Sequence, residues 1–230
     1  MYMRVVLAWT AVLSVAMAAA VQDLQRARDI QDRAALDKMA AEAREAAEKQ
    51  SNDAASQYRF ALAQSYAAEV AVEKGDKAKA RELADSGIQA AQKAANLRPD
   101  NAEYHRLLGT LCGQMISSAG LAGIRYGNCA LSEVNKAIEL DPKAAINYLS
   151  HGVGNYYLPQ ALGGGMEQAI KDFQKAISLD PKSADAYLWL GIALRREKRN
   201  ADARQALAKA VELNPNRLWA KQQLDKTPAQ

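Results

Sequence analysis

Few residues in this chain could do chemistry. There are two histidines and two cysteines in 230 residues, and one run of three glycines, Gly163-Gly164-Gly165. Neither histidine belongs to a pattern that holds a metal or activates a nucleophile: the chain has no His-Glu-x-x-His, no Gly-x-Ser-x-Gly and no Cys-x-x-Cys. His105 lies four residues before Gly109 and His151 one residue before Gly152, helix positions that serve packing. A phosphate loop needs a strand before its glycines and Lys-Ser/Thr after them. Here Leu158-Pro159 leads in and Met166-Glu167 follows, so the glycines read as a turn doubling back. The expectation is a protein that is not an enzyme and needs no metal or cofactor.

Cys112 and Cys129 are even in number. In an oxidising compartment they are candidates for a disulfide worth ~3 kcal/mol; the other reading is two small buried thiols. The compartment is read from the start of the chain. Met1 to Arg4 is short and basic, Val5 to Met17 is apolar apart from Thr10 and Ser14, and Ala16-Met17-Ala18 and Ala18-Ala19-Ala20 fit the small-x-small pattern of a signal-peptide cleavage site. Residues 1–20 are thus expected to be a signal peptide cut after Ala18 or Ala20, and the protein to be periplasmic or secreted. An uncleaved anchor is the alternative, since Val5 to Val21 is just short of a spanning helix. No second apolar run of that length exists, so no membrane insertion is expected after cleavage. With 30 basic against 26 acidic side chains, a formal net charge of +4, evenly spread, nucleic acid is not an expected partner.

The elements that must carry these residues repeat. Hydrophobic residues make up 49% of the chain, yet it has only two Phe and three Trp; alanine supplies much of that share, which suits closely stacked helices. Ala137-Ile-Glu-Leu-Asp-Pro142 recurs as Ala176-Ile-Ser-Leu-Asp-Pro181 and Ala210-Val-Glu-Leu-Asn-Pro215, with a weaker copy at Ala94-Ala-Asn-Leu-Arg-Pro99. Before the three strong copies come the trios Ala130, Val134, Ala137; Ala169, Phe173, Ala176; and Ala203, Leu207, Ala210. Steps of four and three put each trio on one helix face, and each proline ends its helix. After the prolines run His105-x-x-Leu108-Gly109, Tyr148-x-x-His151-Gly152 and Tyr187-x-x-Leu190-Gly191.

These residues resemble the tetratricopeptide repeat family, whose unit runs W-x₂-L-G-x₂-Y, A-x₃-F, P. Ala184 to Pro215 fits without a gap. The resemblance implies an all-α solenoid of antiparallel helix pairs with a concave face: three clear units over residues 100–215, a divergent one over 51–99, a charged helix over 21–50, and a capping helix and tail over 216–230. Ser51 or Asp53 would cap the helix after that charged stretch. The spacings Pro99–Pro142 and Pro142–Pro181 exceed the family norm of 34, so insertions are expected at Ser117–Asn128 and Leu158–Gly165, between the paired helices. The second insertion and the helix after it also resemble exported bacterial repeat proteins, among them the component associated with TRAP transporters.

In this family the first helix of each unit lines the groove. By that resemblance the groove-facing set is Arg106, Thr110 and Gln114; Leu149, Val153, Tyr156 and Tyr157; and Leu188, Ile192 and Arg195. The family's Lys and Asn clamp for a terminal carboxylate is not recognisable. The implied function is an interaction scaffold that holds a protein or peptide partner in its groove. The alternative is a ligand-carrying component of a transport system, using the aromatic centre as a pocket for a small apolar molecule. The patch is either open or covered by the N-terminal helix or the glycine-rich loop.

Overall fold

The computed structural model describes residues 19–119 and 125–229; the expected signal segment lies outside them except for Ala19 and Ala20. The described chain is helical throughout. Helix α1 spans residues 19–29, followed by α2 (Arg33–Lys49), α3 (Ala54–Glu73), α4 (Lys77–Leu97), α5 (Ala102–Ala119), α6 (Gly127–Leu140), α7 (Ala145–Tyr157), α8 (Met166–Leu179), α9 (Ala184–Arg196), α10 (Asn200–Leu213) and α11 (Leu218–Asp225). Consecutive helices pair as α3–α4, α5–α6, α7–α8 and α9–α10, and each pair stacks on the next.

The trios carry that pairing. All nine of their residues are buried, at most 2% exposed, and each middle residue fills the space left by a glycine on the partner helix. A Cβ at Gly109 would lie 2.6 Å from Val134 Cγ2, at Gly152 2.5 Å from Phe173 Cε1, and at Gly191 2.5 Å from Leu207 Cγ. The turns between units also repeat: the Oδ1 atoms of Asp141, Asp180 and Asn214 accept from the backbone N–H two residues on, at 3.1, 3.0 and 3.1 Å.

The stretch 21–50, expected as one charged helix, is instead a hairpin. Gln31 is left-handed at φ 55°. Its N–H reaches the Arg28 carbonyl (3.0 Å) and the Asp32 N–H the Ala27 carbonyl (2.8 Å), the double closure that ends a helix. Asp32 then caps α2 by accepting from the Ala35 N–H at 3.0 Å. The same pair of bonds closes α3 at Gly75 and α9 at Lys198. Leu36, Ala40 and Ala47 are buried on α2, as Ala80, Ala84 and Ala91 are on α4, at one constant offset along the sequence. So α1–α2 repeats α3–α4. Of the two cap candidates, Asp53 serves α3, accepting from the Ser56 N–H at 2.9 Å.

The second insertion lies between α7 and α8, whereas of the first, Ser117–Ala119 continue α5 and Gly127 and Asn128 begin α6, with residues 120–124 outside the described ones. Leu158 is buried and packs where Gly127 opens a gap, 2.7 Å from the position of a Cβ there. The glycines do reverse the loop: Gly163 and Gly165 have φ of 85° and 139°, and the Gly165 N–H returns to the Asn155 carbonyl at 3.0 Å.

Candidate functional site

The solenoid curves so tightly that its ends meet. Arg217, just before α11, donates from Nη2 to Glu69 on α3 at 2.6 Å and to Glu73 on the same helix, while its Nε reaches Asp185 on α9 at 3.3 Å. Arg28 on α1 joins the seam. Its Nη1 donates to Asp185 at 2.8 Å, its Nε and Nη2 bond Asp29, and its guanidinium lies over the Tyr66 ring, 5.3 Å from the centroid. Gln31 donates to Glu73 at 2.8 Å, and Asn214 to Asp29 at 2.7 Å.

Burial and charge compete at this seam. Burial pushes the Glu73 carboxyl up to about 7, with Glu69 adding to the push and Arg217 opposing it. Burial would raise Asp185 too, but Arg28 and Arg217 outweigh it and hold that carboxyl down at about 2. Both guanidiniums remain charged: burial works against them, and the surrounding carboxylates raise them above the ordinary arginine value. Nη1 of Arg217 is buried without a partner among the described residues.

Inside the ring lies a cavity of about 260 Å³. Helices α1, α3, α5, α7 and α9 line it, with Trp219 of α11 at one end. On α5 the Arg106 guanidinium, buried, donates to Glu103 at 2.6 and 2.5 Å and to Ser150 at 3.2 Å. Tyr58 donates its hydroxyl to Glu103 at 2.9 Å. Burial alone would raise Glu103, yet Arg106 and these bonds leave it below the ordinary carboxylate value. The phenols of Tyr58 and Tyr157 are pushed far up by burial. Gln114 donates to the Ser65 carbonyl at 3.0 Å. The aromatic wall runs Tyr157, Trp189, Trp219, with ring centroids 6.0 and 5.2 Å apart.

Of the residues expected in the groove, Arg106, Thr110, Gln114, Leu149, Val153 and Tyr157 line this cavity. Four do not. Leu188 and Ile192 are buried with Trp219 and Ala220, because α11 packs on α9 where a further unit's first helix would sit. Arg195 holds that cap, donating to Gln223 at 3.1 and 2.6 Å and to Thr227 at 3.2 Å. Tyr156 packs edge-on to Trp189 beneath the Arg196 guanidinium. The α9 residues that reach the cavity are Asp185 and Trp189. Sequence reasoning also missed Arg28, Tyr58, Tyr66, Glu69 and Glu73. The 3.6-residue period does put Glu69 and Glu73 on one face of α3, but no local spacing connects them with Arg217.

The histidines bridge paired helices. His105 Nδ1 lies 2.7 Å from Glu133, and His151 Nδ1 2.9 Å from Asp172. Cys112 and Cys129 are joined by a disulfide. Among the described residues no group of three or more His, Cys, Asp or Glu side chains could hold a metal ion, and no helix is long and apolar enough to cross a membrane.

A ring of stacked helix pairs around a lined concave cavity defines a tetratricopeptide-type repeat protein, and the tetratricopeptide repeat pattern matches residues 163–217. The family described as regulator of microtubule dynamics protein 1–3 matches residues 16–161, more than half of the chain, and the chain belongs to that family. A comparison with curated proteins gave no match. Among solved structures, the tetratricopeptide protein TTC0263 from Thermus thermophilus is 18% identical, with a TM-score of 0.62 over 84% of this chain and 90% of that one. MamA from Desulfovibrio magneticus RS-1 is 20% identical, with a TM-score of 0.46 over 86% and 95%. At these identities the likeness to TTC0263 shows the fold alone, and none of these matches extends the resemblance to the TRAP-associated component.

Proposed function

We propose that this protein is a non-catalytic scaffold that holds a protein or peptide partner through its concave face. One observation carries the reading: first helices from successive repeats converge their side chains on one cavity, as the binding face of a solenoid does. The cavity wall mixes fixed aromatic surface with hydrogen-bonding groups already held in place (Arg106, Glu103, Gln114), an arrangement that suits recognition. Among the described residues no nucleophile with an attendant base lies on it. The start of the chain supports export to the periplasm or to the outside. The family's description concerns microtubule dynamics, which an exported chain would not meet. Partner binding is carried over from the tetratricopeptide repeat over residues 163–217, and the cytoskeletal target is not carried over.

A second reading has its own support in the concave, largely apolar and aromatic wall of the cavity: a carrier for a small apolar ligand. Native mass spectrometry of the chain purified from its host separates the two. The scaffold reading expects a stoichiometric protein partner whose capture drops about tenfold or more in Tyr157→Ala and Trp189→Ala, with helix content unchanged. A retained small molecule without protein would support the carrier, and a partner held equally well by both variants would remove the concave face from the function.

A further inference from the structure

At about 260 Å³ the cavity falls at the small end of the range for ligand sites, and a helix ~10 Å wide or more is a poor match for it. It suits a single anchoring side chain of a partner that otherwise lies across the mouth.

The wall specifies which residue. Four carboxylates, Glu69, Glu73, Glu103 and Asp185, face the cavity against two guanidiniums, Arg28 and Arg106. Glu103 and Arg106 satisfy one another. Behind the wall Arg217 adds one cation and Asp29 one acid, so the seam keeps two more carboxylates than cations. Burial, with Glu69 adding to it, raises the Glu73 carboxyl to about 7, so near neutrality one of these groups is partly held as the acid. The aromatic groups already accept cations: Arg28 stacks on Tyr66 and Arg217 on Trp219, at 5.3 and 5.5 Å. Trp189 packs among Tyr156, Tyr157, Phe173 and Trp219 and reaches the cavity; among the described residues no guanidinium stacks on Trp189 or Tyr157.

We propose that the cavity receives a basic side chain, arginine in particular, projecting from an extended segment of the partner, with its guanidinium between the Trp189 and Tyr157 rings and the carboxylates of Glu69 and Asp185. This rests on the scaffold reading and names the anchor that reading leaves open. A planar guanidinium suits the place better than an ammonium because it stacks and donates in a fork at once.

The test uses the purified full chain and the tripeptides acetyl-Gly-Arg-Gly-amide, acetyl-Gly-Leu-Gly-amide and acetyl-Gly-Glu-Gly-amide, followed by tryptophan fluorescence and isothermal titration calorimetry. The expected result is that the arginine peptide binds about tenfold or more tighter than either of the others. Glu69→Gln and Asp185→Asn should each weaken it by about tenfold, with far-UV circular dichroism unchanged. Both carboxylates also bond Arg217, so unchanged hydrogen exchange in α11 marks the variant whose seam is intact and whose affinity decides the test. Tighter binding of the leucine peptide overturns the proposal in favour of an apolar anchor, and tighter binding of the glutamate peptide overturns the charge argument. If no tripeptide binds, while Tyr157→Ala still loses the protein partner, the anchor chemistry is wrong and the scaffold reading stands. If Tyr157→Ala and Trp189→Ala keep the partner, the scaffold face itself is misassigned.

Discussion

Glu73 is a carboxylic acid placed where its charge is expensive. Its side chain is 1% exposed, bonded to Arg217 and Gln31, and shares the seam with Glu69 and Asp185. Its carboxyl titrates at about 7 in the fold against an ordinary 4.5. Between those pH values the folded chain binds a proton that the unfolded chain has released, so stability falls as pH rises. The contribution is complete below about 4.5 and gone above about 7. Asp185 runs the other way: held near 2 against 3.8, it stabilises above its ordinary value and loses that stabilisation as pH falls through about 2. Urea denaturation should therefore show wild type losing up to about 3 kcal/mol between pH 5 and pH 8. Glu73→Gln, which keeps the shape without the charge, should flatten that slope. An unchanged slope in Glu73→Gln would show that another group carries the dependence.

At the scale of the helix pair, close approach is set by glycine and its partner. Alanine in place of glycine raises helix propensity by ~1 kcal/mol, but at Gly152 the new methyl would meet the Phe173 ring at 2.5 and 2.8 Å. Phe173 is wholly buried and has nowhere to go, and overpacking of that kind costs ~1–3 kcal/mol. Gly152→Ala is expected to lower the melting temperature. Gly113→Ala on α5, where nothing lies within 4 Å of the new atom, is expected to raise it by the propensity gain of ~0.5–1 kcal/mol. Thermal unfolding followed at 222 nm compares the two, and equal effects would refute the packing account. Such pairs were legible in the sequence because Gly109, Gly152 and Gly191 and the three trios each keep a fixed distance from a proline, and each pair makes its contacts within one hairpin. The N-terminal hairpin was hidden because its turn puts Gln31, not glycine, at the left-handed position. Leu188 and Ile192 were misplaced because the cap makes the last unit an interior one. Nothing local could reveal the seam, whose partners Glu69 and Arg217 are 148 residues apart.

The closed ring is what gives the molecule a cavity at all, and side chains hold much of its closure. Stacked hairpins are stabilised by their neighbours along the chain; the contact between first and last units adds a long-range constraint such arrays do not need. A buried ion cluster is weak evidence of net stability, but removing one partner from it is costly, ~3–5 kcal/mol, because the charges left behind are unpaired. In Arg217→Glu that cost can be escaped locally, by parting the seam and letting water reach Glu69, Glu73 and Asp185, without melting the hairpins. The expected outcome is faster hydrogen exchange in residues 19–31 and in α11, by about a hundredfold or more. Protection in α5 to α8, with their own glycine-trio packing and the Cys112–Cys129 bond, should stay as it is. Small-angle scattering should show a larger radius of gyration, and a second change, Glu69→Arg, should bring part of the protection back by reversing the pair. Loss of protection across all helices together would mean that the array folds as one unit with its seam. Exchange confined to α1 and α11 would mean that the ring is a solenoid whose ends are latched, and that a partner too large for the closed cavity can reach the concave face when the latch parts.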